Sequence, residues 1–319
     1  MTLQRQQPTS ENTPAVLTDE QRRRVADALE SAQSENTRRN YASQFGKFRT
    51  WCEQEDFSYL PARPEGLPAY AAELADDRKS MSTIRLAVAA IVDAHRRVGL
   101  ESPQTAGVTE TLRGLSRQLG IGQKQARPLD ADALAAIRAT AFTPRTTRGG
   151  SLEMEDTAIR RGRLDIALAS AMSDAGLRIS EAAALRWRDV LDAEDGAGLI
   201  YIERSKTDQV GEGAYVVVTP ETLSALKLLR EDAGGCSDDD IVFGLSMSQI
   251  SRRVDSMARA AGLGEGYSGH SGRVGLAIRM TRRGAPLQAV QTHGRWKSPS
   301  MPARYTRSEK ALEALEWLV

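Results

Sequence analysis

Six residues in the second half of the chain carry functional groups suited to phosphate chemistry. Guanidinium groups are planar, permanently charged and able to bind phosphate oxygens in a bidentate manner. A phenol can act as a nucleophile, lysine and histidine can move protons, and an indole N–H can donate a hydrogen bond. The six residues are Arg178, Lys206, His270, Arg273, Trp296 and Tyr305.

Spacing places several of these residues on shared or adjacent elements. His270 and Arg273, in HSGR, are three residues apart and therefore share one helical face. Lys206 lies in a turn between two strand-like segments, and Tyr305 follows Trp296 by nine residues. Taken singly, each has an ordinary explanation as a surface cation, a helix-start histidine or a packing aromatic. The residue types alone therefore leave packing and catalysis both open.

In order and spacing, these residues resemble the active site of the tyrosine recombinase (phage integrase) family. The branch that fits is Cre-like, in which a Trp stands where many relatives have His. The resemblance rests on the motifs LRISE, SKT, SGHSGRVGLA and GRWKSPSMPARYT, and it extends weakly through SENTRRNYASQFGKFRTWC. It covers about residues 34–318, and every member of the catalytic set has a counterpart.

The resemblance implies a site-specific DNA recombinase that cuts and rejoins DNA through a 3′-phosphotyrosine intermediate, without ATP, metal or cofactor. Tyr305 would be the nucleophile, and Lys206 would protonate the leaving 5′ oxygen. Four side chains would bind the non-bridging phosphate oxygens: Arg178, His270, Arg273 and Trp296.

Two further expectations concern the groups around these residues. Glu181, three residues after Arg178, would orient that arginine or His270. The surrounding cations would ease loss of the proton from Tyr305, with His270 as one possible acceptor. No metal site is predicted, because the histidines have no ligand spacing and no acidic cluster suggests two-metal nuclease chemistry. His293 stands at the wrong interval from Tyr305 for a catalytic role, so we expect it to be structural.

Length and composition bound the class of protein. The chain has 319 residues, which favours two domains. It is 40% hydrophobic and 27% charged, as is typical of soluble globular proteins. It contains no apolar run of membrane-spanning length and no hydrophobic signal segment near its start, so we expect a cytoplasmic protein with no membrane partner. Cys52 and Cys236 form neither a metal nor a disulfide pattern.

Charge distribution favours a polyanionic partner. The net charge is only +1, yet residues 268–310 contain nine Lys or Arg and a single acid, Glu309. A solvated basic face would explain one short cluster, but a stretch of this length favours a surface that binds nucleic acid.

Helical periodicity dominates both halves of the chain. Ser34 and Asp130 stand where N-caps are expected, and the two convincing strands, 198–204 and 214–219, read as an antiparallel pair. The expected fold is mainly α with a small antiparallel β-sheet, arranged by resemblance as a two-domain C-clamp. Its parts are a disordered arm (1–17), a helical core DNA-binding domain (18–120), a linker (121–130) and a mixed α/β catalytic domain (131–319).

Double-stranded DNA carrying paired target sites is the expected partner, together with further copies of this chain in a tetramer. The apolar stripe of the C-terminal helix would pack on a neighbouring subunit, although packing within its own subunit is the open alternative. A strand-swivelling topoisomerase and a DNA-binding protein without catalysis are the competing functions. The residues expected to contact DNA are Arg39, Ser43, Arg85, Lys124, Arg127, Arg252 and Arg253.

Overall fold

A computed structural model describes residues 18–21, 23–24, 33–120, 122, 125–147, 149–203 and 213–313. The chain divides into two compact units, one ending at Gln123 and one beginning at Lys124. The described residues are mainly helical with one small antiparallel sheet, which confirms the predicted fold class. The predicted disordered arm, 1–17, lies outside the described residues. No helix in the described part of the chain is long and apolar enough to cross a membrane.

Hydroxyl caps start three helices of the first unit. The Ser34 side chain accepts a hydrogen bond from the backbone N–H of Thr37, as predicted, and Ser80 and Thr105 cap the third and fourth helices in the same way. The helices are α1 (Glu35–Gln54), α2 (Gly66–Asp76), α3 (Met81–Arg97) and α4 (Ala106–Leu119).

An aromatic core holds the first unit together. Phe48 and Cys52 on α1 are fully buried, whereas Phe45 is only half-buried. The Trp51 ring stacks on Phe57 with centroids 5.5 Å apart. Burial raises the pKa of the Cys52 thiol to about 11, so this cysteine acts as a small apolar residue.

The second unit combines helices with one three-stranded sheet. The strands pair in the order β1–β2–β3, and all pairs are antiparallel. The elements are α5 (Ala131–Thr140), α6 (Glu155–Asp174), α7 (Ile179–Ala184), β1 (Val190–Asp192), β2 (Gly198–Ile202), β3 (Ala214–Val218), α8 (Pro220–Asp232), α9 (Met247–Ala260), α10 (Ser271–Arg282), α11 (Leu287–His293), α12 (Ser300–Tyr305) and α13 (Arg307–Glu313).

The predicted strand pair is confirmed, with slightly shorter bounds. Ile200 on β2 lies opposite Val216 on β3, and both side chains are buried. The sequence missed β1 because three residues are too few to display the alternation that identifies a strand.

The end of the predicted linker belongs to the second unit. The backbone N–H of Arg127 donates to Gly266 O at 2.9 Å, and that of Leu129 donates to Ser271 O at 3.0 Å. Leu129 is fully buried in the core of this unit. Asp130 caps α5 by accepting from Ala133 N, as predicted. Residues 127–130 are therefore structural, because burying Leu129 fixes the chain here.

Close packing positions helix α10, which carries two of the predicted catalytic residues. A Cβ at Gly272 would lie 2.4 Å from Met172 O, and one at Gly275 would lie 2.2 Å from Leu129 O. Only glycine permits such an approach of two backbones. The N-terminal end of α10 is thereby fixed against α6 and the segment around Leu129.

Candidate active site

Four parts of the second unit bring five predicted catalytic residues together. Arg178 is the N-cap of α7, His270 is the N-cap of α10, and Arg273 lies in the first turn of α10. Trp296 lies between α11 and α12, and Tyr305 is the last residue of α12. The site is thus assembled from helix ends and one connecting segment. Lys206 lies outside the described residues.

Tyr305 makes a direct hydrogen bond with His270. The distance between the Tyr305 hydroxyl oxygen and His270 Nε2 is 2.6 Å, and Tyr305 is 5% exposed. Burial lowers the pKa of His270, and the positive charges of Arg273 and Arg178 lower it further. The imidazole is therefore neutral at neutral pH. In the tautomer protonated at Nδ1, its Nε2 accepts the hydroxyl proton, and this is the geometry of a general base.

The net pKa of Tyr305 is raised above its ordinary value. Burial raises it, and this outweighs the lowering effects of Arg273, Arg304 and Arg178. The expectation that cations ease proton loss is therefore only partly correct, because the low polarity around the phenol disfavours the phenolate. Deprotonation of Tyr305 requires an acceptor, and His270 is in place to provide it.

Arg273 is buried and is held by two hydrogen bonds and a cation–π contact. It is 2% exposed, and its two terminal nitrogens donate to Gly176 O at 2.7 Å and to Gly294 O at 2.8 Å. The guanidinium carbon lies 4.5 Å from the centre of the Trp296 ring, a cation–π contact. Burial, followed by repulsion from Arg178 and Arg295, lowers the pKa of Arg273 to about 9. The side chain is still a cation at neutral pH.

Of the two partners expected for Glu181, the structure shows Arg178. Glu181 Oε1 accepts from a terminal nitrogen of Arg178 at 2.6 Å, and Oε2 accepts from the Arg178 backbone N–H at 2.9 Å. Burial raises the pKa of Glu181, but Arg295 and the hydrogen bonds from Arg178 more than offset it, so the net pKa is lowered. Glu181 is therefore an ionised carboxylate that fixes the orientation of Arg178.

A third guanidinium, that of Arg295, reaches the same carboxylate. Its Nη2 donates to Glu181 Oε2 at 2.7 Å. Sequence reasoning missed this residue, because an arginine beside a predicted catalytic Trp has nothing to distinguish it from surface charge. The only signal was its place between Gly294 and Trp296, both of which contribute to the site.

The chain matches the profile of the phage integrase family over residues 146–311, which is more than half of its length. It belongs to the phage integrase family of tyrosine recombinases. This confirms the family indicated by the sequence motifs.

Relatives of this recombinase span nearly the whole chain. It is 25% identical to Recombinase cre of Escherichia phage P1 over 93% of each chain. It is 26% identical to an Integrase/recombinase xerD homolog of Selenomonas ruminantium, over 87% of this chain and 83% of the homolog. Among solved structures, the post-cleavage complex of XerH with palindromic difH substrate has a TM-score of 0.57 at 18% identity, covering 80% of this chain and 70% of that one. That likeness supports the fold.

Three residues expected to contact DNA have side chains on the surface of their unit. Arg39 is paired with Glu35 at 2.7 Å in a solvated contact, and Ser43 is exposed. Arg252 is exposed on α9, where its Nε donates to Ser248 O at 3.3 Å. The exposed ion pair between Arg39 and Glu35 is weak, so a phosphate can displace Glu35 from Arg39. These three remain predicted DNA contacts of the recombinase.

Of three other residues expected to contact DNA, two make contacts within their own unit and the third lies outside the described residues. Arg253 donates to Asp165 Oδ1 at 2.7 Å, and Asp165 is fully buried. Arg145 and Arg161 also pair with this buried carboxylate, and contact of Arg253 with DNA stays a prediction. Arg127 donates to Leu263 O and lies over the Tyr267 ring, yet it is exposed, and its contact with DNA stays a prediction. Lys124 lies outside the described residues.

Two remaining residues make contacts within their own unit. Arg85 donates to Ser116 Oγ at 3.0 Å on the surface of the first unit and remains a predicted DNA contact. His293 Nε2 lies 2.9 Å from Asp174 O, in keeping with the structural role expected for it. It therefore links the end of α11 to the end of α6, close to the segment that carries Trp296.

The lowered pKa of His270 predicts the pH dependence of cleavage. The rate constant at limiting DNA, which reports the free protein, should be level around neutral pH. It should fall on acidification only below the ordinary histidine pKa, since His270 must be neutral to accept the proton. His270→Gln should cleave about 10²- to 10⁴-fold more slowly and lose the acidic limb. An acidic limb that persists in this variant would assign the titration to another group.

Proposed function

We propose that this recombinase cuts and rejoins double-stranded DNA at specific sites through a 3′-phosphotyrosine intermediate, with Tyr305 as the nucleophile. The observation that carries the proposal is the 2.6 Å contact between the Tyr305 hydroxyl and His270 Nε2. Arg273 and Arg178 lie close enough to both residues to shift their pKa values. A buried phenol paired with a neutral imidazole and flanked by cations is suited to attack on an anionic phosphodiester.

In the proposed step, the Tyr305 oxygen attacks the scissile phosphorus while its proton passes to His270 Nε2. The bond between phosphorus and the 5′ oxygen breaks, and Lys206 gives that oxygen a proton. The products are a DNA 3′-phosphate ester on Tyr305 and a free 5′ hydroxyl. Attack by the 5′ hydroxyl of a second duplex reverses the chemistry and exchanges the strands. Because one phosphate ester replaces another of similar energy, the cycle needs no ATP.

Arg178 and Arg273 would stabilise the charge that develops on the non-bridging oxygens, with help from the Trp296 indole N–H. Preorganised donors of this kind each contribute roughly 3–4 kcal/mol in comparable sites. The rigid holding of Arg273 by two carbonyl oxygens supports this role, because a donor that is already oriented needs no reorganisation during the reaction. A metal has no step to perform in this scheme.

The proposed substrate is a pair of target sites brought together by a tetramer of this chain, acting in the cytoplasm. Cre is named a recombinase, and XerH was solved with difH substrate. These relationships support DNA as the partner. The tail after Glu313, which we propose to pack on a neighbouring subunit, lies outside the described residues.

A suicide substrate tests the proposal. Target duplexes are first selected from a random pool by binding to the wild-type chain. A nick is then placed so that cleavage releases a short fragment, which carries the free 5′ hydroxyl and diffuses away. In EDTA and without ATP, we expect a covalent adduct joined to the DNA 3′ end, with the DNA attached to the peptide that contains Tyr305. Exchange between two intact sites supports recombination. Bound DNA without any adduct would refute the mechanism, and adducts without exchange would favour a topoisomerase.

A further inference from the structure

We propose that Arg295 is a positioning residue for DNA cleavage. It holds Glu181 and, through Glu181 and its own carbonyl oxygen, it fixes the guanidinium of Arg178 for phosphate binding. The proposal rests on the role given above to Arg178, and it gives a role to a residue outside the predicted catalytic set.

The side chains of Arg295 and Arg178 both bind the carboxylate of Glu181. Glu181 Oε2 accepts from Arg295 Nη2 at 2.7 Å, while Oε1 accepts from Arg178 Nη1 at 2.6 Å. The two side chains of this pair, Arg295 and Glu181, are 8% and 2% exposed. Oε2 also accepts from the Arg178 backbone N–H at 2.9 Å, so Arg295 adds a third hydrogen bond and a second positive charge to a carboxylate that Arg178 binds on both oxygens. Arg295 therefore helps to hold the group that orients Arg178.

The main chain of Arg295 makes a second contact with the same arginine. Its carbonyl oxygen accepts from Arg178 Nη2 at 3.2 Å. The two terminal nitrogens of Arg178 are thus bound at separate points, one to Glu181 and one to the Arg295 backbone. A planar guanidinium bound at both terminal nitrogens has little freedom to turn.

Arg295 also connects the two catalytic arginines. Its Nη1 donates to Ala175 O at 3.0 Å, and its Nη2 lies 3.3 Å from Gly176 O. The latter oxygen also accepts from Arg273. The segment that carries the Trp296 ring is thereby bonded to the loop that precedes Arg178, so the two halves of the phosphate site share one set of contacts.

The backbone conformation shows that this arrangement is specific. Arg295 has φ of 55°, which non-glycine residues rarely adopt. Its buried Nε has no hydrogen-bond partner among the described residues. Glycine would fit the turn with less strain, and an exposed arginine would avoid desolvation. Both unfavourable features are accounted for if the guanidinium is required at Glu181.

Arg295→Gly tests the proposal, because it removes the guanidinium and keeps the turn. In single-turnover cleavage at saturating DNA, we expect a rate about 10- to 100-fold below wild type, by analogy with the loss of residues that orient metal ligands. The dissociation constant for DNA should be unchanged. Arg295→Lys should restore part of the rate, since an ammonium can still reach Glu181. Arg78→Gly is the matched control, because Arg78 also has a positive φ of 58° but is exposed in the first unit.

A double-mutant cycle with Glu181→Gln separates positioning from a general loss of folding. If Arg295 acts through Glu181, the Arg295→Gly change should cost far less in the Glu181→Gln background than in the wild type. Independent, multiplying effects would overturn the proposal, as would wild-type cleavage by Arg295→Gly. Should that variant not fold, Arg295→Gln takes its place with the same expected and opposing results. Failure of the wild-type chain itself to cleave would instead refute the proposed function.

Discussion

Tyr305→Phe should bind target DNA as tightly as the wild-type chain and form no covalent adduct with it. The substitution removes one oxygen and leaves the ring in its buried place near Trp296, with centroids 5.9 Å apart. Binding depends on surfaces that the change does not touch. Chemistry depends on that oxygen, and removing a nucleophile costs about 10⁶-fold in rate in comparable enzymes. A gel-shift titration and a denaturing gel of the suicide-substrate reaction measure the two properties on the same samples.

The matched control for that experiment is Tyr70→Phe. Tyr70 is also a buried tyrosine, 4% exposed, but it belongs to the core of the first unit. We expect this variant to form adducts at the wild-type rate. Adduct formation by Tyr305→Phe would mean that another side chain attacks the phosphate, and the role of the Tyr305–His270 pair would then have to be abandoned.

Local signals in the sequence predicted most of the secondary structure. The caps at Ser34 and Asp130 and the pairing of β2 with β3 follow from short-range rules, because a hydroxyl or carboxylate next to a helix start and alternating apolar residues act within a few positions. The family motifs predicted which side chains meet in the second unit. For five of the six predicted catalytic residues, the structure shows the side chains brought together; their catalytic role stays a prediction.

Long-range contacts were beyond the reach of those rules. Arg253 was expected to contact DNA, and its ion pair with Asp165, which lies 88 positions away in the chain, was not foreseen. Leu129 sits in a polar basic segment, and only the tertiary fold shows that it is buried. Which carboxylate needs a cation, and which apolar residue finds a core, depends on packing that a single sequence does not display.

The electrostatics of the site were also only partly foreseeable. Counting cations around Tyr305 predicted a lower pKa, but burial acts in the opposite direction and prevails. Burial cannot be read from the residue types, because both neighbours of Tyr305 in the sequence, Arg304 and Thr306, are polar. The contribution of Arg295 was missed for the same reason. Its guanidinium is buried, although its sequence neighbourhood is basic. The direction of the pKa shift of Tyr305 could therefore be predicted only once the fold was known.

Arg273→Lys should lower single-turnover cleavage by about 10³-fold, the upper cost of losing one preorganised donor of an anionic transition state. The positive charge is retained, but an ammonium cannot donate to Gly176 O and Gly294 O in the fixed plane of a guanidinium. It also loses the contact with the face of Trp296. Arg282→Lys on the same helix is the control, because Arg282 is exposed and pairs with Glu309 and Asp130. We expect that variant to cleave as the wild type does.

A substrate whose scissile phosphate lacks one negative charge tests whether Arg273 acts in catalysis or only in folding. A methylphosphonate at that position lacks one negative charge, so there is less for Arg273 to neutralise. The difference in rate between the wild type and Arg273→Gln should therefore shrink on this substrate relative to a normal phosphodiester. An equal difference on both substrates would show that Arg273 supports the site only by its bonds to Gly176 and Gly294. A smaller difference places its guanidinium on the reacting phosphate.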